Sequence, residues 1–274
     1  MRKKIFVFIS SVLFVSTFAF PQKVSTSAIQ AVFQKHGFDG CFVYYDLNQD
    51  EVVTYNYKRA GQPFLPASTF KILNSLIAIE TGVAPDQNLM IKWDGTKRSI
   101  DAWNQDLTLA SAFRVSCLPC YQEIARRIGF EKMRKWVTLS QYGDMDIHNK
   151  NIDSFWIQGN SQITALQQMD FLRRLYTYKL PFTGRTIDIV KEIMINETGN
   201  DYILRGKTGW AHSENAEDVG WFIGWLEQNS NVYFFVCNIA GNQEHAADFA
   251  NARKAITCDI LREAGLMETT VKSE

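Results

Sequence analysis

The chain has 274 residues, with 29 basic and 29 acidic side chains and no net charge, so it offers neither the basic surface that nucleic acid selects nor a cationic face for an anionic membrane. Five cysteines, Cys41, Cys117, Cys120, Cys237 and Cys258, are too few and too scattered to build a disulfide scaffold, so the fold must rest on an apolar core. The four histidines, His36, His148, His212 and His245, show no metal-ligand spacing, which disfavours a zinc hydrolase, and no metal is expected.

Met1, Arg2, Lys3 and Lys4 lead into an apolar run over 5–20 with small residues near Ala19. This pattern reads as a secretory signal peptide over 1–19, leaving one domain over 20–274 of roughly 255 residues. An uncleaved anchor is the competing reading. Against it, Ser10, Ser11, Ser16 and Thr17 interrupt the run, which is shorter than the roughly 20 apolar residues a spanning helix needs. No cysteine follows the run to carry a lipid, so the expectation is export to the periplasm without a stable membrane anchor.

Residues 26–36 read as a helix, and 40–45 then pair naturally with 52–57 across the polar turn 47–50 as a hairpin. From 66 to about 81 the pattern turns helical, with Pro66 opening it and Gly82 closing it. The middle, about 101–196, is mostly helical, with loops over 141–147 and 148–162, and strand signals return only after it. Strands are predicted over 203–210, 219–226 and 232–239, the last two joined through 227–231, with Gly220 and Gly224 permitting close approach. An amphipathic helix from about 245 to 264 ends at Gly265. Strands from both ends with helices between them imply an α+β fold: an antiparallel sheet built from N- and C-terminal strands, flanked by helices, with an inserted, mostly helical lobe.

Two short motifs carry chemistry. Ser68 and Lys71, three residues apart at the start of a helix, project from one face, so an amine can reach a hydroxyl. The helix N-terminus favours negative charge developing there, and burial of Lys71 among Phe70, Ile72 and Leu73 would lower its pKa. Alone, S-x-x-K also fits an N-cap serine with a surface lysine. Lys207, Thr208 and Gly209 lie on a predicted strand, where lysine is otherwise depleted. Lys207 can hold a carboxylate, Thr208 can donate to it, and Gly209 lets a ligand lie against the strand; an edge-strand charge that discourages aggregation is the blander reading. Cys117 and Cys120 have the C-x-x-C spacing of a redox site, but no βαβ pattern surrounds them, and the plainer reading is two small apolar residues in a helical segment.

S-x-x-K on a helix after an N-terminal hairpin, with K-T-G on a later strand, resembles the penicillin-recognising serine hydrolases. Further residues resemble the class D, OXA-type, serine β-lactamases over essentially the whole chain beyond 20. Ser116 stands where that class carries its S-x-V serine, Tyr142-Gly143-Asp144 resembles Y-G-N, and Trp156-Ile157-Gln158-Gly159 matches W-x-x-G. The segment 220–225 and Arg253 to Ile256 are similarly characteristic. The resemblance implies that Ser68 attacks a β-lactam carbonyl and becomes acylated. It also implies that Lys71, carbamylated by carbon dioxide to N6-carboxylysine, is general base in acylation and deacylation, and that no other cofactor is used. Trp156 would then support the carbamate beside Leu118, and Ser116 would relay a proton to the leaving nitrogen. Backbone N–H groups of Ser68 and Trp210 would form the oxyanion hole, while Lys207, Thr208, Gly209 and Arg253 would bind the small-molecule substrate. The protein is expected as a monomer or homodimer, conferring β-lactam resistance.

Two positions depart from the family pattern. Leu118 replaces the valine of S-x-V and adds a methylene to the wall beside the carbamate, and Asp144 replaces an asparagine, exchanging a donor for an acceptor. Tyr142 reads mainly as a supporting residue. The rival readings are a penicillin-binding transpeptidase or β-lactam sensor that keeps its acyl group, a thiol oxidoreductase using Cys117 and Cys120, and a non-catalytic binding protein of the same fold.

Overall fold

The computed structural model describes residues 24–212, 217–241 and 246–268; the signal peptide expected over 1–19 lies outside the described residues. In chain order the N-terminal part gives α1 (Thr26–His36), β1 (Gly40–Asp46), β2 (Glu51–Tyr55), α2 (Tyr57–Ala60) and α3 (Lys71–Glu80). The middle gives β3 (Met90–Ile91), β4 (Leu107–Thr108), α4 (Leu109–Arg114), α5 (Leu118–Ile128), α6 (Phe130–Ser140), α7 (Ala165–Tyr176) and α8 (Gly184–Ile193). The C-terminal part gives β5 (Ile195–Thr198), β6 (Tyr202–Ala211), β7 (Val219–Gln228), β8 (Asn231–Ala240) and α9 (Ala246–Glu263).

The main sheet has the order β2-β1-β8-β7-β6-β5, with every neighbouring pair antiparallel, so the two ends of the chain meet where β1 pairs with β8. This is the α+β architecture expected. The β7–β8 hairpin turns on Asn229 and Ser230 alone, both with positive φ, and Gln228 pairs directly with Asn231. That two-residue turn follows the right-handed strand twist, which is why the strands run longer than the apolar pattern alone suggested.

Both faces of β7 and β8 are covered. Trp221, Ile223, Trp225, Phe234 and Val236 face the helical lobe, whereas Phe222, Leu226, Tyr233, Phe235 and Ile239 pack with α1 and α9. Burial on both sides explains why these strands read as continuous apolar runs rather than alternating ones. At Gly220 a Cβ would lie 2.7 Å from Ile239 Cγ1 and 2.9 Å from the Arg253 stem, so α9 sits directly on the backbone there.

Three short strands had no sequence signal. β3 and β4 have two residues each, too few to show a period, and the four-residue β5, Ile-Asn-Glu-Thr, is a half-exposed edge whose register shifts against β6. The lobe is organised around α3, whose residues Lys71 to Ile79 are all buried. A helix apolar on every side belongs at the centre of a core. Ser75 on it is tied at both ends: its Oγ donates to the Lys71 carbonyl at 2.8 Å and meets Tyr121 Oη at 2.8 Å. No described helix is long and apolar enough to cross a membrane.

Candidate active site

Ser68 does not open the α-helix itself; it lies in a 3-10 turn, Ala67–Phe70, that runs into α3. The turn begins at Ala67 with φ +50°, a left-handed conformation unfavourable for an L side chain by about 1–2 kcal/mol. The Ala67 N–H donates to the Trp156 carbonyl at 2.8 Å, which holds that conformation and ties the W-x-x-G loop to the serine. Below the turn, Thr69 Oγ1 donates to the Pro66 carbonyl at 2.6 Å and accepts from Gln168 Nε2 at 2.8 Å. Tyr142 Oη donates to Gln168 Oε1 at 3.2 Å and lies 3.2 Å from Thr69 Oγ1. Tyr142 thus belongs to the buried hydrogen-bond group beneath the turn. Thr69 and Gln168 carried no sequence signal, because a satisfied buried glutamine looks like any other helical polar residue.

Lys71 Nζ lies 2.7 Å from Ser68 Oγ, and the lysine side chain is fully buried. Burial disfavours the ammonium and brings its pKa down to about 7. The Tyr121 ring, 5.3 Å from Nζ, and Phe70, stacked on Trp156 at 5.5 Å, are part of its surroundings. The Trp156 indole N–H is buried with no acceptor among the described residues. An orphaned donor in a native core marks a place where another acceptor belongs.

A second serine–lysine pair stands beside the first. α4 ends in a Schellman motif: Ser116 N–H donates to Phe113 O at 3.1 Å and Cys117 N–H to Ala112 O at 2.8 Å, with Ser116 at φ +54°. That position usually falls to glycine; a serine there presents its hydroxyl outward from the joint, and Lys207 Nζ donates to it at 3.0 Å. Lys207 also donates to the Thr208 carbonyl at 2.9 Å. Its pKa is held well below the usual lysine range, first by burial and then by the charges of Lys71 and Arg253. No described ion pair includes Lys71, Lys207 or Arg253.

β6 brings this second pair to the first. At Gly209 a Cβ would stand 3.1 Å from Thr69 Cγ2 and 3.2 Å from the Pro66 carbonyl. The glycine of K-T-G thus lets the strand lie against the Ser68 turn itself, a reason different from the ligand approach that the sequence suggested. Arg253 is buried rather than solvated. It donates to the Gly209 and Ala250 carbonyls, and burial lowers its pKa to about 10. Thr208 is half-buried. Trp210 exposes its side chain and donates its indole N–H to Asp218 at 2.7 Å, while its backbone pairs with Gly220 in the sheet.

Leu118 opens α5 and packs half-buried against the lobe's core. Asp144 is exposed and acts through its backbone, exchanging hydrogen bonds with Gln162 at 2.8 and 2.7 Å. Cys117 and Cys120 are not two separate apolar residues in a helix: they form a disulfide between the N-cap and the first turn of α5, and Cys41, Cys237 and Cys258 are buried free thiols. Among the described residues no group of histidine, cysteine and carboxylate side chains could hold a metal.

A serine–lysine turn leading into a buried central helix, faced by a lysine-bearing strand, is the arrangement of penicillin-binding serine enzymes. Residues 40–262 match the family described as penicillin binding protein transpeptidase domain. The chain is 43% identical to Beta-lactamase OXA-48 of Klebsiella pneumoniae over 85% of this chain and 86% of that protein. It is 40% identical to Probable beta-lactamase YbxI of Bacillus subtilis over 84% of this chain and 82% of that protein. A class D β-lactamase structure from Nostoc superposes with a TM-score of 0.82 at 45% identity, covering 87% of this chain and 99% of that one. The FUS-1 (OXA-85) structure from Fusobacterium nucleatum gives 0.82 at 34% identity, covering 89% and 100%. The chain belongs to the class D, OXA-type, serine β-lactamases within the penicillin-binding transpeptidase family.

Proposed function

We propose that the protein hydrolyses the β-lactam ring of penicillin-type antibiotics through an acyl-enzyme on Ser68 and so confers resistance. The observation that carries this reading is the 2.7 Å contact between Ser68 Oγ and a fully buried Lys71 whose pKa is brought down to about 7. A lysine that is about half neutral at neutral pH can take the hydroxyl proton, which an ordinary ammonium cannot.

The substrate's carboxylate belongs with Lys207, Thr208 and Arg253, a cationic cluster that lacks a described carboxylate partner. Attack at the lactam carbonyl puts negative charge on its oxygen, which we assign to the backbone N–H groups of Ser68 and Trp210. The leaving nitrogen needs a proton; Ser116, accepting from Lys207 at 3.0 Å, is placed to hand one on and be resupplied.

Lys71 is the site we assign for carbamylation by carbon dioxide, and the buried Trp156 N–H, without another acceptor, suits a carboxylate at that amine. Carried there, the carbamate supplies a carboxylate base for both half-reactions. Carbon dioxide adds only to a neutral amine, which the buried Lys71 provides. The same reading places the enzyme in the periplasm after removal of 1–19, working as a monomer or homodimer without a membrane anchor.

Steady-state hydrolysis of a panel of penicillins, cephalosporins and carbapenems, with and without bicarbonate, tests reaction, base and range together. Turnover that bicarbonate raises after exposure to low pH is the expected result. Time-resolved mass spectrometry that finds a lasting one-to-one penicillin adduct would overturn hydrolysis in favour of a transpeptidase or sensor. Active protein lacking a carbon-13 carbamate signal would overturn the modified base.

A further inference from the structure

We propose that the Cys117–Cys120 disulfide is a thiol-exchange site, attacked at Cys120 by a low-molecular-weight thiol, through which the Ser116 hydroxyl is set or released. The proposal deepens the hydrolase reading, on which its catalytic consequence rests.

The bond staples the first turn of α5 to Cys117, the residue that follows Ser116. Cys117 is the third residue beyond the end of α4, donating its N–H to Ala112 O at 2.8 Å, and it is also the N-cap of α5, where its Sγ accepts from Cys120 N–H at 3.3 Å. One residue before it, Ser116 holds the left-handed conformation that points its hydroxyl at Lys207. One residue after it, Leu118 opens α5. The covalent link therefore fastens Cys117, the residue next to Ser116, to the first turn of α5. Trp103 braces the same junction from outside, donating its indole N–H to the Val115 carbonyl at 3.0 Å.

The two cysteines differ in access and in leaving ability. Cys117 is fully buried, whereas Cys120 is 8% exposed and lines a cavity of about 380 Å³ together with Trp93, Trp103, Pro119 and Gln122. That volume admits a small thiol. Attack on Cys120 expels Cys117, whose sulfur sits at the N-terminus of an 11-residue helix and already accepts a backbone N–H, a setting that lowers a thiol's pKa and favours it as leaving group.

The exchange balances in two steps. An external thiolate bonds to Cys120 Sγ as the Cys117–Cys120 bond breaks, and the electron pair of that bond leaves on Cys117 as thiolate. A second thiolate attacks the mixed disulfide and releases Cys120 as thiolate, so two thiols are oxidised to one disulfide and the protein gains two electrons. With the link gone, Cys117 is held to the first turn of α5 without a covalent bridge, and the Ser116 turn beside it loses that anchor.

The test uses the full exported chain, oxidised and supplied with bicarbonate, with reduced glutathione as probe. After acid quenching and alkylation, peptide mass mapping is expected to place glutathione on Cys120 and the alkyl group on Cys117. Glutathione on Cys117, or an intact disulfide under conditions that reduce a solvent-exposed one, overturns the assignment. The fully reduced enzyme, freed of thiol, is expected to hydrolyse ampicillin with kcat lower by about tenfold and KM little changed, since a proton donor has been misplaced rather than a binding group removed.

Diamide should restore the rate, and the Cys117→Ala/Cys120→Ala enzyme should match the reduced one and ignore thiols. In a Ser116→Ala background, reduction should cost nothing further, which a general loosening of the fold would not produce. Equal kcat for oxidised and reduced enzyme overturns the link to Ser116. An oxidised enzyme with no lactam turnover sinks the hydrolase reading instead, and the glutathione map still decides the exchange site.

Discussion

The two serine–lysine pairs are built by different means. Ser68 and Lys71 are three residues apart, and one turn of helix suffices to bring amine and hydroxyl within 2.7 Å. Ser116 and Lys207 are 91 residues apart and meet only because a helix C-terminus and a sheet strand converge on the same place. Both amines are buried, yet Lys71 is shifted by burial alone, while Lys207 also feels Lys71 and Arg253. The difference teaches that burial alone readies the first amine to take a proton, whereas burial and like charge leave the second short of an anion, which an incoming carboxylate would supply.

The sharpest break in the comparison is between the hydroxyls. Ser68→Ala is expected to remove turnover by on the order of 10⁵-fold, because the nucleophile has no substitute, whereas Ser116→Ala should lower kcat by about 10²-fold, the usual worth of a positioned proton donor. Single-turnover kinetics should show no acyl-enzyme at all in the first variant and slowed acylation in the second. Comparable losses would mean that the pairs are not functionally distinct.

The lysines should separate next. Lys71→Met is expected to lower kcat by about 10³-fold while raising Tm, since a desolvated amine is replaced by an apolar group of similar length. Lys207→Met should instead raise KM by about 10- to 100-fold through loss of a charge-assisted contact to the substrate carboxylate. If Lys207→Met lowered kcat without moving KM, its assignment as anion holder would fail.

How much of this was legible follows from how each feature is built. The hairpin β1–β2, the long strands β6 to β8 and the S-x-x-K geometry are local, so apolar runs and helical spacing revealed them. The proximity of Ser116 to Lys207 came only from resemblance to a family, because no period or spacing connects residues so far apart. Gln168 and Thr69, which hold the nucleophile turn, were invisible; their role depends on a buried hydrogen-bond chain, not on residue type. Cys117 and Cys120 had the right spacing, but the pattern could not distinguish a disulfide at a helix N-terminus from two small buried side chains. The strained φ of Ala67 is likewise a tertiary product, imposed by the bond to the Trp156 carbonyl.

The pH dependence sharpens the contrast further. Lys71 is depressed to about 7 by burial, so its protonated form dominates below that pH and the neutral amine above it. Activity limited by Lys71 should fall by about tenfold per pH unit below 7 and level off above it. Stability runs on a wider window. The unfolded chain keeps this proton up to the ordinary lysine pKa of 10.5, so the lysine's contribution makes the fold more stable as pH rises from about 7 toward 10.5. Denaturation of the wild type and Lys71→Met across that range checks the sign: the variant should lack this rise. A pH–rate profile of kcat/KM that stays flat down to pH 5 would show that Lys71 does not supply the base.

The smallest effect is expected at Asp144, where the sequence departs from its family and the structure gives the side chain little to do. Its backbone N–H and carbonyl both bond Gln162, and the neighbouring Gly143 has φ +60° with space for a Cβ closed by the Gln162 carbonyl at 2.4 Å. The loop is thus held by main-chain pairing and by the glycine, and it carries Tyr142, whose hydroxyl reaches Gln168 beneath the Ser68 turn. Asp144→Asn should therefore change stability by less than about 0.5 kcal/mol and leave kcat/KM for penicillins within about twofold. Gly143→Ala should do more, because it forces the loop away from Gln162 and with it the Tyr142 hydroxyl. If Asp144→Asn instead moved kcat by tenfold while Gly143→Ala did not, the support of the nucleophile turn would have to pass through the acidic side chain, and the first serine–lysine pair would be less self-contained than its geometry indicates.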